Sequence, residues 1–337
     1  MRLLAIDLGY SAVKVAYYNE GGALQLEKYT SAVAKIEDPM EIDDNVMFKV
    51  KADTYVMGDY ALKLSRSLLM PLETFEDMKA VYPVWIAYLL KKYGGMNKFD
   101  HVIIGLSLAF SDRADELLKS LYDTLLIEKN NYFICLPQGL SCKLAYSEYG
   151  LDISSTSMNT VKLKNYIVMD GGFLSIDICA VINQSSSAGA AIGVPNTGVI
   201  CVAYDVVDYL FKEYQMKVSV KEAAHIVDSG GIVQRRGRKI DISQALKQFI
   251  KKYLGNVLTL LEDKYSEYLD AVDGLIVLGG LAYFFQKYWE DPEIIAEIEK
   301  HFDRDFIHTS NDGLSEFYNA FSYLRFAESK LGKEEKK

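Results

Sequence analysis

Residues 1–14 read MRLLAIDLGYSAVK, an apolar run that ends in an aspartate and a glycine and is followed by a lysine. The run Arg2–Ile6 predicts a strand buried on both faces, and a carboxylate at the end of such a strand requires a partner. Gly9 allows a sharp turn of the backbone before a second apolar stretch, Val13–Tyr18. The stretch alone leaves two interpretations open: a hairpin with a capped turn, or a phosphate-binding loop in which Asp7 faces a metal ion.

The composition is that of a globular protein, with 50% hydrophobic and 25% charged residues, and a length of 337 residues predicts two domains. A net charge of −9 argues against strong direct binding of nucleic acid. No apolar run approaches the roughly 18 residues of a membrane span, and the first strand follows Met1 directly. We therefore expect a cytoplasmic protein without direct membrane contact. The widely spaced cysteines predict reduced core residues rather than a disulfide framework or a zinc site: Cys135, Cys142, Cys179 and Cys201.

Strand-like and helix-like patterns alternate along the chain, which predicts an α/β protein whose sheets are largely parallel. Ile36–Asp44 is polar and acidic, GAAIGVPNTGV is predicted as a glycine-punctuated turn, and GGIVQRRGRK as a glycine-rich basic loop. GLIVLGGLAYFF predicts a last buried strand that ends in Gly279-Gly280. The principal predicted helices are Asp77–Tyr93, Asp112–Leu126, Ile200–Tyr214, Val220–Asp228, Ile240–Tyr268, Pro292–His301 and Gly313–Ser329.

The stretch YIVMDGGFLSIDICAV repeats the pattern of the N-terminus: an apolar run, an aspartate, a glycine within two residues and a second apolar run. Repetition of such a unit predicts two related domains. Two further glycine-bearing turns follow predicted strands, Pro137-Gln138-Gly139 and Leu278-Gly279-Gly280. Because ligands bind beyond the carboxyl ends of strands in open α/β sheets, we expect the four turns to converge on one site.

The chemistry of these turns suits a nucleotide, because the N–H groups of a glycine-bearing hairpin form a concavity for phosphate oxygens. Asp7 and Asp170 would then meet near Mg²⁺, which keeps most of its waters and takes few carboxylates directly. Lys14 either adds positive charge beside the phosphates or is a solvated lysine at a strand end, and the sequence leaves both open. The absence of G-x-x-x-x-G-K-[ST] excludes a P-loop ATPase, and no G-x-G-x-x-G follows the first strand, so the usual dinucleotide fingerprint is missing.

Five motifs, in order and spanning nearly the whole chain, resemble those of the actin/Hsp70/sugar-kinase ATPase superfamily. IDLGYSAVK resembles its first phosphate motif, VMDGGFLSID the second and IVLGGLAYF the adenosine motif. LPQG with LSCKLAY resembles the first connecting motif, and YNAFSYLRFA the second. The compact length, the D-x-G-Y form of the first motif and the PQG turn are most similar to the short prokaryotic actins, meaning the plasmid-segregation (ParM-type), phage and archaeal actin-like proteins.

The resemblance implies an actin-like ATPase fold of two related domains, each a mixed sheet flanked by helices, around a nucleotide cleft. Domain I would comprise residues 1–160, with an outer insertion at about 31–99 and a completing C-terminal helix at 315–337. Domain II would comprise residues 161–314, with an outer insertion at about 215–265.

The same resemblance implies ATP or GTP with Mg²⁺ as cofactors and gives the matching residues their roles. Asp7 and Asp170 would hold the hydrated Mg²⁺ through water, and Gln138 would orient the attacking water. A neutral amide positions water but is a poor base, which suits slow hydrolysis. The implied nucleotide-binding residues are Gly9, Tyr10, Ser11, Lys14, Gly171, Gly172, Asp177, Gly279, Gly280 and Leu281.

Two features depart from the family pattern. Phe173 and Leu174 stand where the second phosphate motif usually has small residues, so that hairpin is expected to differ in shape. The adenine and ribose contacts have no clear match. Lys221, Glu222 and the range Gln244–Lys252 are candidates among which the sequence does not discriminate.

Among the functions that share this fold, the sequence favours a filament-forming actin that binds ATP-Mg between its domains, with hydrolysis destabilising the filament. The chain shows no sugar-kinase signature, and its C-terminal end lacks the apolar face of a membrane anchor. The expected partner is the protein itself, with an adaptor bound to DNA as a second one, in plasmid or DNA segregation or intracellular positioning. The alternative is a non-polymerising small-molecule kinase or activator ATPase of the same superfamily.

The basic segment Arg235–Lys239 has two interpretations. It is either a solvated loop tip or a contact for an acidic surface, on the next protomer or on an adaptor. An acidic protomer that stacks on itself needs such a complementary patch.

Overall fold

The computed structural model describes residues 1–37, 46–72, 74–127, 132–138, 163–183, 185–235, 237–309 and 316–334. The chain divides into two compact units, one formed by Met1–Leu151 with Phe317–Lys337 and the other by Asp152–Glu316. The predicted domain boundary near residue 160, Gly139, Cys142 and most of the predicted acidic region lie outside the described residues. No helix within the described ranges is long and apolar enough to cross a membrane.

Unit 1 is built on a five-stranded sheet and a smaller three-stranded sheet. Its strands are β1 (Leu3–Leu8), β2 (Ala12–Tyr18), β3 (Leu24–Thr30), β4 (Val33–Ile36), β5 (Met47–Val50), β6 (Asp53–Met57), β7 (His101–Leu106) and β8 (Phe133–Pro137). The large sheet has the order β3-β2-β1-β7-β8 and the small one β4-β6-β5. Strands β1, β2 and β3 pair antiparallel, whereas β1, β7 and β8 pair parallel.

The described part of unit 1 contains four α-helices: α1 (Gly58–Leu62), α2 (Phe75–Lys92), α3 (Ala114–Leu125) and, from the C-terminal part of the chain, α9 (Tyr318–Glu334). Thr74 starts α2 with a reciprocal cap, in which Asp77 N–H donates to Thr74 Oγ1 at 3.2 Å and Thr74 N–H donates to Asp77 Oδ2 at 2.8 Å. Helices α2 and α3 pack on one face of the large sheet, and α9 packs on β1, β2 and β7. Short 3-10 turns lie at Arg66–Leu68, Met96–Lys98 and Leu108–Arg113.

Unit 2 is built on a second five-stranded sheet with a separate hairpin. Its strands are β9 (Tyr166–Gly171), β10 (Ser175–Ile182), β11 (Ser185–Pro195), β12 (Ile232–Arg235), β13 (Arg238–Asp241), β14 (Leu275–Leu278) and β15 (Ile307–His308). Its helices are α4 (Ile200–Tyr214), α5 (Val220–Asp228), α6 (Ser243–Leu269), α7 (Gly279–Tyr288) and α8 (Pro292–Ile298), with a 3-10 turn at Arg304–Phe306. The large sheet has the order β11-β10-β9-β14-β15.

The two large sheets have the same topology. Each begins with three consecutive antiparallel strands and continues from the first of them with two parallel strands. Even the register repeats, because Asp7 faces Lys14 across β1 and β2, and Asp170 faces Asp177 across β9 and β10. Half of the pairings in each sheet are antiparallel, so the expectation of largely parallel sheets from strand–helix alternation was wrong, and the mixed sheets implied by the resemblance are confirmed.

Several elements differ from the sequence predictions. The GAAIGVPNTGV segment is mostly strand β11, since pairing with β10 outweighs the low strand propensity of its glycines and alanines. The basic loop is the β12–β13 hairpin, in which Gly237 has a φ of +73°. Gly279 and Gly280, predicted to end a strand, begin helix α7, and the short strands β4 and β15 were not predicted.

Candidate functional site

Asp7 lies at the end of β1 and is 1% exposed. Each of its carboxylate oxygens has a partner in unit 1: Lys14 Nζ lies 3.1 Å from Oδ2, and Gln138 Nε2 donates to Oδ1 at 2.7 Å. Lys14 reaches Asp7 from the facing position on β2. Gln138 follows β8, where its N–H donates to Leu106 O at the end of β7, at 2.8 Å. The topology of the sheet thus brings three predicted site residues together.

The pairing of Lys14 with Asp7 argues against one of the two interpretations of this lysine, a solvated side chain at a strand end. Only 16% of the Lys14 side chain is exposed, so it is the partner that a buried carboxylate requires rather than a solvated lysine at a strand end. The positive charge lies beside the turn that connects β1 and β2, where an anion would benefit from it.

The turn between β1 and β2 is tight at Gly9. Gly9 N–H donates to Ala12 O at 3.1 Å, and a Cβ on Gly9 would lie 2.7 Å from the same oxygen. The Tyr10 side chain turns towards α2, where its hydroxyl donates to Met78 Sδ at 2.9 Å, so only the backbone of Tyr10 is available to a ligand. Ser11 is exposed. Within the part of the chain that the structure describes, the N–H groups of Tyr10 and Ser11 have no protein acceptor.

The second hairpin of this type, β9–β10, is closed by the start of α4. Gly172 N–H donates to Ser175 O at 2.9 Å within the turn. Its carbonyls accept from the α4 side: Val199 N–H donates to Gly172 O at 3.1 Å and Ile200 N–H to Phe173 O at 2.8 Å. Phe173 and Leu174 are therefore accommodated because the helix start satisfies the backbone of the hairpin.

The sequence did not single out Gly198, although this hairpin depends on it. Gly198 N–H donates to Leu174 O at 3.2 Å, and a Cβ on Gly198 would lie 2.4 Å from Phe173 O. The signal was present in the NTGV segment, where a glycine stands between a strand and a helix. It could not be interpreted without knowing which backbone approaches it.

Gly279 brings the start of α7 close to Asp170. It has a φ of +69°, and a Cβ there would lie 2.5 Å from Asp170 Oδ1 and 2.7 Å from Gly171 O. Gly171 in turn faces Leu281, whose Cβ would lie 2.2 Å from an added Cβ. Leu281 is fully buried in the core of unit 2, so its side chain packs against the sheet and is not part of an exposed surface. Gly280 is exposed beside this contact.

Two of the undiscriminated base-contact candidates have structural roles. Glu222 caps α5 by accepting from Ser219 N–H at 2.7 Å. In the Gln244–Lys252 range, Lys247 pairs with Asp291 at 2.9 Å and Lys252 with Asp205 at 3.2 Å. These ion pairs lie between α6 and its neighbours, and they do not identify a base-binding surface.

The acidic residues fit a hydrated cation better than a directly ligated one. The described residues contain no group of three or more His, Cys, Asp or Glu that could hold a metal ion. Asp7 already has a lysine and an amide on its two oxygens, which favours contact with Mg²⁺ through water. Asp170 is 6% exposed and faces Asp177, which is 2% exposed, so unit 2 also contributes buried carboxylates at a strand end.

Comparison with known proteins agrees with this architecture. Residues 5–130 match the family model described as "Actin like proteins N terminal domain". No curated protein matches the sequence significantly. Solved structures match over nearly the whole chain at low sequence identity, with values of 14–17% among them.

Three of these structures illustrate the likeness. A 15-stranded ParM filament from Clostridium botulinum is 14% identical, with a TM-score of 0.70 over 97% of this chain and 99% of that one. The archaeal actin homologue Ta0583 is 16% identical, with a TM-score of 0.68 over 98% and 100%. ParM of Bacillus thuringiensis with ATP is 14% identical, with a TM-score of 0.59 over 98% and 99%.

The fold and the two aspartate-bearing hairpins therefore define an actin-like α/β protein. The family-model match over residues 5–130 and the fold agree with the resemblance to the actin superfamily that the five motifs suggested, and the chain has an actin-like fold with prokaryotic actins among its structural neighbours.

Proposed function

We propose that this protein is a nucleotide hydrolase that binds ATP or GTP with Mg²⁺ and polymerises into filaments. The observation that supports the nucleotide site best is the Asp7 carboxylate, held between Lys14 and Gln138 beside a glycine turn with two N–H groups that have no acceptor among the described residues. Its counterpart in unit 2 is a second hairpin of the same register with Asp170 at the same place. A glycine-bearing hairpin of this kind suits phosphate oxygens.

In this proposal each residue has a role in phosphate binding or in hydrolysis. The N–H groups of Tyr10 and Ser11 line the phosphates together with the turn at Gly172, and Lys14 adds positive charge. Gln138 orients the attacking water, and its contact with Asp7 fixes the direction of the amide. Bound Mg²⁺ would neutralise charge on the phosphates, with Asp7 and Asp170 holding its waters. Asp177, Gly279 and Gly280 complete the proposed site.

The proposal of self-association is supported by the solved neighbours. One is a ParM filament, and others include Ta0583 in complex with ADP and ParM with ATP. By analogy, nucleotide binding would favour assembly and hydrolysis would weaken it, in a cytoplasmic role such as plasmid or DNA segregation or intracellular positioning. An adaptor bound to DNA remains a proposed second partner.

Electron microscopy and pelleting of the purified protein with ATP, with ADP and without nucleotide test the assembly. Filaments that form with ATP and disappear as phosphate is released are expected. A protein that stays monomeric and phosphorylates a small molecule would establish the alternative, a kinase of the same superfamily, and would refute the proposal.

The variant Asp170→Asn tests the site. Hydrolysis is expected to fall by about 100-fold or more, since the carboxylate would position the metal through its waters. Asp53→Asn is the matched control, because Asp53 pairs with Lys35 at 3.0 Å on the surface of unit 1. Phosphate release at the wild-type rate by the Asp170 variant would refute this assignment.

A further inference from the structure

The turn that follows β1 is held by side chains outside the sequence motif. Three carbonyls of the stretch Leu8–Ser11 accept hydrogen bonds from two residues, Ser31 and Tyr82. The hydroxyl of Tyr82 donates to Leu8 O, the hydroxyl of Ser31 donates to Tyr10 O, and Ser31 N–H donates to Ser11 O at 3.2 Å. We refer to Ser31 and Tyr82 as the carbonyl clamp.

Both members of the carbonyl clamp are buried and held by their surroundings. Tyr82 is 1% exposed in the middle of α2. Ser31 is 4% exposed, and its own carbonyl accepts from Trp85 Nε1 at 3.0 Å, one turn further along α2. Such side chains have little freedom to leave the loop, so the clamp fixes the loop to α2.

Fixing the carbonyls determines what the loop presents on its other side. A turn binds an anion when its N–H groups converge and its carbonyl oxygens, which repel the anion, point elsewhere. Here the carbonyls of Leu8, Tyr10 and Ser11 accept hydrogen bonds from the carbonyl clamp. The N–H groups of Tyr10 and Ser11 have no protein acceptor among the described residues. The remaining N–H of the turn, from Gly9, closes the turn itself.

We propose that Ser31 and Tyr82 are positioning residues for nucleotide phosphates: they turn the carbonyls of Leu8, Tyr10 and Ser11 away and so leave the N–H groups of Tyr10 and Ser11 to the anion. This inference rests on the proposed nucleotide site. The clamp does not touch the nucleotide, and its contribution is the geometry of the loop before the ligand arrives.

The clamp also connects the loop with the outer part of unit 1. Ser31 is followed by Ala32, whose carbonyl accepts from Gly58 N–H at 2.8 Å, and then by β4. Trp85 and Tyr82 both lie on α2. The loop is therefore linked to α2 by hydrogen bonds and to β4 by the chain that follows Ser31.

The test removes single hydroxyl groups. Tyr82→Phe deletes the donor to Leu8 O and keeps the ring, and Ser31→Ala deletes the donor to Tyr10 O. The matched control is Tyr132→Phe, because Tyr132 is 2% exposed in the same unit and its hydroxyl donates to Met96 O at 3.0 Å. Dissociation constants are measured for ATP, for tripolyphosphate and for adenosine, with thermal unfolding recorded for each variant.

We expect Tyr82→Phe and Ser31→Ala each to weaken ATP and tripolyphosphate by about tenfold and to leave adenosine unchanged. Ser31→Thr, which keeps a hydroxyl, should recover part of the affinity. Affinities equal to those of Tyr132→Phe would contradict the proposed role of the carbonyl clamp. Equal losses of affinity for ATP and for adenosine would contradict it as well. Failure of the wild-type protein to bind ATP or tripolyphosphate would instead overturn the proposed nucleotide site.

Discussion

The buried carboxylate of Asp7 belongs to the candidate functional site and also affects the stability of the fold. Removing Asp7 from water is costly, and the compensation comes from Lys14 at the facing position and from the amide of Gln138. All three are polar groups at the ends of apolar strands. An arrangement of this kind is stable only as a whole, because each partner that is removed leaves a buried polar group behind.

The variant Lys14→Met tests this dependence. It is expected to lower the free energy of unfolding by about 2 kcal/mol, because Asp7 is left as a buried charge whose compensation is only an amide. The double variant Lys14→Met with Asp7→Asn should be more stable than the sum of the single changes predicts. Urea denaturation of the four proteins gives the coupling energy, and additive losses would show that the two side chains are independent.

Gly171 illustrates a residue whose predicted role was ligand binding and whose observed contact is packing. Gly171→Ala places a Cβ 2.2 Å from Leu281 Cβ, and the start of α7 must move. A loss of about 3 kcal/mol is expected, at the upper end of the range for overpacking. Gly21→Ala is the control, since the nearest atom there is Asn19 Oδ1 at 3.4 Å. Equal melting temperatures of the two variants would contradict the contact.

At the level of elements, the hairpins were predictable and the edge strands of unit 2, β11 and β15, were not. An apolar run with Asp and Gly at its end is a local signal, and both copies of it are strand–turn–strand in the structure. Strand β15 has two residues and is a strand because it pairs with β14. Strand β11 likewise is a strand because it pairs with β10. These pairings join distant parts of the chain, which a window of sequence does not reveal.

The residues of the site also divide into some that the sequence predicted and some that it did not. Asp7, Lys14 and Gln138 were predicted from motifs, and the structure brings them together. Ser31, Tyr82 and Gly198 were missed, since a serine after a strand or a tyrosine within a helix has no distinguishing local pattern. Their roles arise only from the backbone that they approach in the folded chain.

His308 in β15 predicts how the stability of the protein depends on pH. His308 is 3% exposed, and within the described structure neither ring nitrogen has a hydrogen-bond partner. Burial lowers the pKa of His308, with Asp305 opposing the effect, so the folded protein keeps the ring neutral where the unfolded chain takes up a proton. Stability should therefore fall as the pH drops below about 6.5, by no more than about 1.4 kcal/mol per pH unit for this one proton.

The variant His308→Leu should lose less stability than the wild type between pH 7.5 and pH 5.5, measured as the urea midpoint at each pH. The other histidines, His101, His225 and His301, are present in both proteins and cancel in the comparison. Parallel pH dependences of the two proteins would show that His308 protonates without cost in the folded state.

At the level of the whole molecule, unit 1 is completed by the C-terminal end of the chain. Helix α9 covers the sheet face formed by Leu3, Ala5, Ala16 and Ile103, and Leu324 lies fully buried in this contact. The first unit can therefore reach its final packing only after the second has been synthesised.

Leu324→Ala should reduce stability by about 3 kcal/mol, with the loss concentrated in unit 1. Hydrogen exchange is the measurement: protection should fall in β1, β2 and β7 and remain in β9 and β10. Leu258→Ala is the reciprocal control, because Leu258 is equally buried in α6 of unit 2 and should give the opposite pattern. Equal loss of protection in both units for both variants would contradict two separate cores.

The last prediction concerns assembly. Arg238 and Lys239 are exposed on the β12–β13 hairpin of a protein with a net charge of −9. If protomers stack, a basic hairpin against an acidic surface would lower their repulsion, and the contact would weaken with salt. Arg238→Ser with Lys239→Ser should therefore raise the critical concentration for ATP-dependent light scattering about tenfold, and the salt dependence of assembly should flatten.

The control is Lys212→Ser with Lys264→Ser, two exposed residues of unit 2 that give the same change in net charge. Because both pairs alter the total charge equally, a larger effect at the hairpin would identify a local contact, and equal effects would show that only the total charge acts.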